Sequence, residues 1–208
     1  METPDLLPAR LFLLAYDPNK GRLTSRSQLG LLMRAAALTE LLFAGHLVDQ
    51  DGRVGVVGNP NLDDRVLAAV FADVAAGRRP KRWPYWVQHH SRKFPDLVRD
   101  QLEAPRVIKV EKRRLLGLFT LQTITLRNPR ARQRLADTAR RTLRGGEPVD
   151  RVDRRDAAMV ALAAAGELNI AVDRRQRREF KRRLEALSER TGPPAPALRK
   201  AAAASASG

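Results

Sequence analysis

Arg34 is the first residue whose surroundings raise a chemical question. It sits between Met33 and Ala35 inside an apolar run, MRAAALTELLF, and burying an unpaired guanidinium is expensive. The only acid in its own segment, Glu40, is six residues on and would project from a different face of a helix. Arg34 therefore either meets an acid from elsewhere in the fold or lines a polar pocket that takes an anion.

Arg151, Arg154 and Arg155 form a second basic group. Their i, i+3, i+4 spacing puts all three on one face at the head of an Ala-rich helix. Cations at that end oppose the helix dipole, so they need compensation. Asp150, Asp153 and Asp156 can supply it; so can a bound anion shared with other basic elements.

A third constellation joins charge to apolar surface. Lys112, Arg113 and Arg114 run directly into LLGLF at 115–119. A basic patch beside an apolar tip can dip into a lipid interface or dock another subunit, with Leu115, Leu116, Leu118 and Phe119 as the contact residues; the alternative is ordinary strand core. Trp83, Tyr85 and Trp86 flank Arg82, where they could stack on bases, sit at headgroup level or close the core.

Several chemistries are excluded. The 208 residues contain no cysteine, which removes disulfides, thiolate zinc sites and cysteine nucleophiles. His46, His89 and His90 have no recognisable metal-ligand spacing, so no metal is expected. There is no P-loop, Gly-rich dinucleotide turn or nucleophile elbow, and no cofactor is implied. The acids are interleaved with Arg, which favours pairing over general acid–base work. A non-catalytic protein is expected.

The elements that must position these groups follow from periodicity and punctuation. Residues 5–16 read as a short helix and 17–26 as a loop. Ser27 is a plausible N-cap for a largely buried helix over 28–44, in which Leu31, Ala35, Leu38 and Leu42 share a face. Gly45 stops it. Strands at 46–49 and 53–57 flank the turn signal Gln50-Asp51-Gly52. Asn61 opens a helix to about 76, with Asp63 and Asp64 in its first turn. A helix over 85–104 is broken near Pro95. VIKV (107–110) and LFTLQTITL (118–126) are the strands of a longer hairpin. Helices follow at 129–144, opened by Pro129 and closed by Gly145-Gly146, at 150–166, and at 174–190. The last is basic and amphipathic, with Phe180, Leu184 and Leu187 on one stripe. The segment 191–208 has the composition of disorder. The fold class is thus mainly α: a compact helical domain over 1–190 with two small β-hairpins, one protruding, and a disordered tail.

Charge is unevenly distributed. Residues 1–70 hold 7 Lys and Arg against 8 Asp and Glu, whereas 71–208 hold 32 against 15, for a formal net charge of +16 over the chain. A field of that sign attracts nucleic acid, anionic lipid and acidic proteins. No apolar run approaches the roughly 20 residues needed to span a bilayer. The N-terminal stretch, broken by Pro8, Arg10 and Asp17, lacks the features of a secretion signal, so a cytoplasmic location is expected.

Three segments, in order, resemble one family. MRAAALTELLFAGHLVDQDGRV (33–54) is similar to the N-terminal signature of the Golgi phosphoprotein 3 family: a helix with an Arg, a Glu-Leu pair, a Gly stop and a short hairpin. LPARLFLLAYDPNKG (7–21) looks like the leucine-rich approach to it, and EPVDRVDRRDAAMVALAAA (147–165) like the family's Asp-x-Arg-Arg run into an apolar helix. The resemblance spans roughly residues 6–190. It implies a mostly helical fold with a protruding hairpin, oligomer contacts through that hairpin (here 107–126), and peripheral membrane binding through phosphatidylinositol 4-phosphate. It implies Arg34 as the first pocket Arg and Arg92 as a second. The family's pocket Trp has no counterpart near Ser25 and Arg26, and a further pocket Arg would fall at Pro95, with Lys93 the nearest base. The Arg- and Ala-heavy composition suggests a high-GC bacterium, where a Golgi role has no counterpart.

Together these readings describe a peripheral protein at the inner face of the membrane. Its basic face docks on anionic lipid, and a pocket with Arg34, Arg92 and Lys93, supported by Arg151, Arg154 and Arg155, takes a phosphorylated headgroup. The alternative is a nucleic-acid-binding protein in which the helix and hairpin at 28–57 form a winged helix. Placing that unit in the net-acidic part of the chain counts against it, because DNA binding needs phosphate neutralisation.

Overall fold

The computed structural model describes residues 4–115 and 119–206. The chain is mainly helical: α1 (Leu7–Ala15), β1 (Tyr16–Asp17), β2 (Arg22–Leu23), α2 (Arg26–Phe43), β3 (Leu47–Gln50), β4 (Arg53–Val56), α3 (Arg65–Ala75), α4 (Trp83–Gln88), a 3-10 turn (Ser91–Lys93), α5 (Phe94–Glu103), β5 (Ile108–Leu115), β6 (Phe119–Leu126), α6 (Pro129–Arg144), α7 (Arg154–Ala165), α8 (Arg174–Glu179), α9 (Lys181–Thr191) and α10 (Pro194–Ala206). The strands pair as three separate antiparallel ribbons, β1–β2, β3–β4 and β5–β6.

The centre is built around α2 and α7. Every residue of α2 from 29 to 41 is buried, as is every residue of α7 from 157 to 163. Leu and Ala on all faces of α2 let it be surrounded by α1, α3, α4, α5, α7 and α10. Alanines in α7 let α9, α1, α6 and α10 approach closely. Gly30 has a specific role: a methyl there would overlap the backbone carbonyl of Ser91, so only glycine lets the 3-10 turn lie against α2. Burial of α2 also removes the winged-helix alternative, because a recognition helix must keep one face free for a groove.

Several boundaries differ from the sequence reading, each for a local reason. Ser25, not Ser27, precedes α2, in a left-handed conformation (φ 52°) and without a side-chain cap. Helix α3 starts four residues later than read, because Asp64 is its cap: the carboxylate accepts from Leu67 N at 2.8 Å. The helix read over 85–104 breaks at His89 and His90, with His90 at φ 52°, and Pro95 instead sits in the first turn of α5. The α7 cap is Asp153, which accepts from Arg155 N and Asp156 N, so Arg151 lies outside the helix and does not share its face. The last basic helix is interrupted at Phe180. The loop read over 17–26 holds most of the small ribbon β1–β2, which begins at Tyr16, and in it Asp17 Oδ1 accepts from Asn19 N at 2.9 Å.

Two corrections are larger. The segment read as disordered forms α10, which buries Ala195, Ala197, Leu198, Ala201 and Ala202 against α4, α2, α7 and α9. Its polar and small-residue composition hides a one-sided apolar stripe. The second concerns the hairpin. Strand β5 runs on to Leu115, beyond the 107–110 read for it, and pairs with Phe119, so Lys112, Arg113 and Arg114 are ladder residues rather than part of the connection between the strands. Its base is anchored by buried Ile108, Ile124 and Leu126. Leu116 and Leu118 lie outside the described residues, as do the side chains of Leu115 and Phe119.

Candidate functional site

Among the described residues, helix α2 carries two buried charges, Arg34 and Glu40, six residues apart, and each organises a different neighbourhood. Arg34, 1% exposed, is held on two sides. Its Nη1 donates to Asp73 Oδ2 of α3 at 2.6 Å, and its Nε donates to the Trp86 carbonyl of α4 at 3.1 Å. The guanidinium carbon stands 5.2 Å from the centre of the Phe94 ring. Its Nη2 is buried with no hydrogen-bond partner among the described residues. Burial lowers the Arg34 pKa, and the Asp73 carboxylate partly offsets that. An ion pair with Asp73 is thus what resolves Arg34's isolation on α2, and it leaves one donor unused.

Arg34 pins the segment that follows α3. From Trp86 the chain turns through His89 and His90 into the 3-10 turn, which rests on Gly30. Arg92 and Lys93 of that turn are exposed. Sequence spacing gave no reason to join His89 and His90 to an acid, but the fold does. His90 Nδ1 lies 3.3 Å from both Asp73 oxygens, and the two imidazoles stand 3.8 Å apart. The His89 pKa is lowered, first by burial and then by the neighbouring His90. Only the left-handed kink at His90 carries a signal, and it is invisible in the sequence.

Glu40, 2% exposed, organises the other neighbourhood. It accepts from Leu7 N at 2.9 Å, satisfying an open donor at the start of α1. It also accepts from Arg155 Nε and Nη2, each at 3.0 Å. This two-pronged pairing raises the Arg155 pKa. Arg154 stacks over Phe43 at 3.8 Å. Arg151 is exposed. The predicted site residues therefore do not converge on one place: Arg92 and Lys93 belong to the turn that rests on Gly30 of α2, one helical turn before Arg34, whereas Arg154 and Arg155 meet Phe43 and Glu40 at the C-terminal end of α2 and Arg151 stands exposed outside both sets of contacts. Six residues of helix separate the anchoring charges by about 9 Å, and Arg155 is engaged by Glu40.

Outside these groups the basic surface is broad. Helix α6 buries Ala131, Leu135, Ala139 and Leu143 and exposes Arg130, Arg134, Arg140, Arg141 and Arg144. Arg183 and Arg190 of α9 instead bind main-chain carbonyls of Thr142, at 2.6 Å, and Val152, at 2.8 Å. They tie α9 to its neighbours while adding to the field. A surface groove of about 520 Å³ between α7, α9 and α10 has a floor of Ala161, Ala165, Leu184 and Ala195; none of the predicted site residues lines it. Among the described residues no helix is long and apolar enough to cross a membrane.

Comparison with known proteins gives one finding. The family model described as Golgi phosphoprotein 3 (GPP34) matches residues 7–205. The match takes in α10 as well as the three segments that carry the resemblance. No curated protein matches the chain.

Proposed function

This chain belongs to the Golgi phosphoprotein 3 family, and from that premise we propose that it is a peripheral membrane protein that binds anionic phospholipid headgroups. The headgroup site we propose is the turn carrying Arg92 and Lys93, with Arg34 as its floor. The observation that carries this reading is the unused, buried Nη2 donor of Arg34, on a guanidinium that meets the Trp86 carbonyl and the Phe94 ring. A buried donor left unmade costs about 1–3 kcal/mol, and a phosphate oxygen is a chemically suitable acceptor. Arg92 and Lys93 supply the two exposed cations that would meet a phosphate first.

The wider basic surface supports docking on the membrane. Arg151, Arg154 and the exposed face of α6 extend the positive field, each basic residue near an anionic surface contributing about 1 kcal/mol. The hairpin over 107–126 is the proposed contact to the bilayer or to a second copy, through the apolar sequence Leu115, Leu116, Leu118 and Phe119. The family's phosphatidylinositol 4-phosphate is the leading headgroup. Its selectivity is tested by comparing that lipid with phosphatidylserine at equal vesicle charge: tighter binding to the phosphoinositide supports a headgroup site, and equal binding reduces the interaction to surface charge.

A further inference from the structure

Beside the proposed headgroup site lies a set of side chains that the lipid reading does not use. Asp73, His89 and His90 each offer a ligand atom, and these atoms all lie within 4.8 Å of one another. We propose that Asp73, His89 and His90 form a binding site for a divalent transition-metal ion of the zinc class.

Four features support it. First, the donor set is two imidazoles and one carboxylate, which suits zinc, nickel or cobalt better than calcium or magnesium. Three protein ligands with an open position is a common zinc arrangement. Second, consecutive residues normally send their side chains in different directions, alternating on a strand and about 100° apart on a helix. Here His90 adopts φ 52°, which is uncommon for a residue with a side chain, and the doubled-back chain brings both rings to Asp73. Third, the carboxylate is fixed from behind: Arg34 Nη1 holds Asp73 Oδ2 at 2.6 Å, the kind of outer partner that orients a metal-bound carboxylate. Fourth, His90 Nδ1 is equally far, 3.3 Å, from both Asp73 oxygens, about the spacing of two ligand atoms that share one tetrahedral zinc with bonds of about 2.0–2.1 Å. His90 is exposed, giving the ion a path from solvent.

The site stands independently of lipid binding, and its test uses no lipid. The full chain, freed of metal, is titrated with zinc chloride in competition with a chromophoric chelator, alongside His89→Ala, His90→Ala and His46→Ala. His46 packs edge-on against Phe71, is not one of the three clustered residues, and serves as the control. The proposal expects one equivalent of zinc bound saturably with a rise in Tm. His89→Ala and His90→Ala should each weaken binding by about tenfold or more, while His46→Ala leaves it unchanged. Circular dichroism of the metal-free variants, matching wild type, shows that the loss is not one of folding. No saturable binding, or binding equally strong in all three histidine variants, overturns the proposal.

Discussion

At the residue scale, arginine does two different jobs in this protein. Some guanidinium groups are structural connectors that satisfy buried acids and carbonyls; others stand free on the surface. Arg34 belongs to the first kind whatever else it does, because Asp73 and the Trp86 carbonyl both depend on it. Arg34→Ala should therefore cost about 3 kcal/mol or more, the usual penalty for removing one member of a buried pair, read as a lower midpoint in urea unfolding. Loss of lipid binding in that variant would not by itself identify a headgroup ligand, which is why the exposed Arg92 and Lys93 are the better probes. His89 supplies a pH dependence. Its folded pKa lies below the ordinary 6.5, so the unfolded chain takes up the proton more readily. The contribution of His89 is then fully present above pH 6.5 and is lost as pH falls through its folded value. Tm in the metal-free protein should fall on acidification across that range, and less steeply in His89→Gln; equal slopes would contradict this. The sequence made Arg34 legible as an anomaly because a lone cation interrupts an apolar helix. It could not reveal Asp73 as the partner, since 39 residues separate the two and only the packing of α3 on α2 brings them together.

At the scale of elements, close approach governs the site. Gly30 admits the 3-10 turn against α2, and Gly30→Ala should displace that turn, cost about 1–3 kcal/mol as overpacking does, and weaken anionic-lipid binding by shifting Arg92 and Lys93. Helix α10 gives a second prediction. Leu198 is fully buried, so Leu198→Ala should cost about 2–5 kcal/mol; a disordered tail would lose nothing. Long periodic helices such as α2 and α6 were readable because repeated apolar positions and flanking Gly and Pro mark them. Helix α10 was not, because its stripe is made mostly of alanine, which composition cannot distinguish from a low-complexity tail. The break at His89 and His90 was misplaced to Pro95 for a related reason: proline is a conspicuous signal, but it is well suited to a helix start, and the actual kink is set by tertiary contacts of the 3-10 turn.

At the scale of the whole molecule, the net charge of +16 sets behaviour toward polyanions. Binding to anionic vesicles should weaken as salt rises, since exposed charges are screened beyond a Debye length of about 8 Å at physiological ionic strength. A component that survives high salt would mark the headgroup site or apolar insertion of the hairpin. The most direct test of the central claim is co-flotation with liposomes at physiological salt, comparing wild type with Arg92→Glu/Lys93→Glu on neutral, phosphatidylserine and phosphoinositide vesicles. The account predicts that wild type floats with the anionic vesicles and not the neutral ones. It predicts that the double reversal weakens binding by about 2 kcal/mol or more, roughly 30-fold, without loss of stability. Wild type that fails to float with any vesicle, above all if it is retained on duplex DNA, would contradict it.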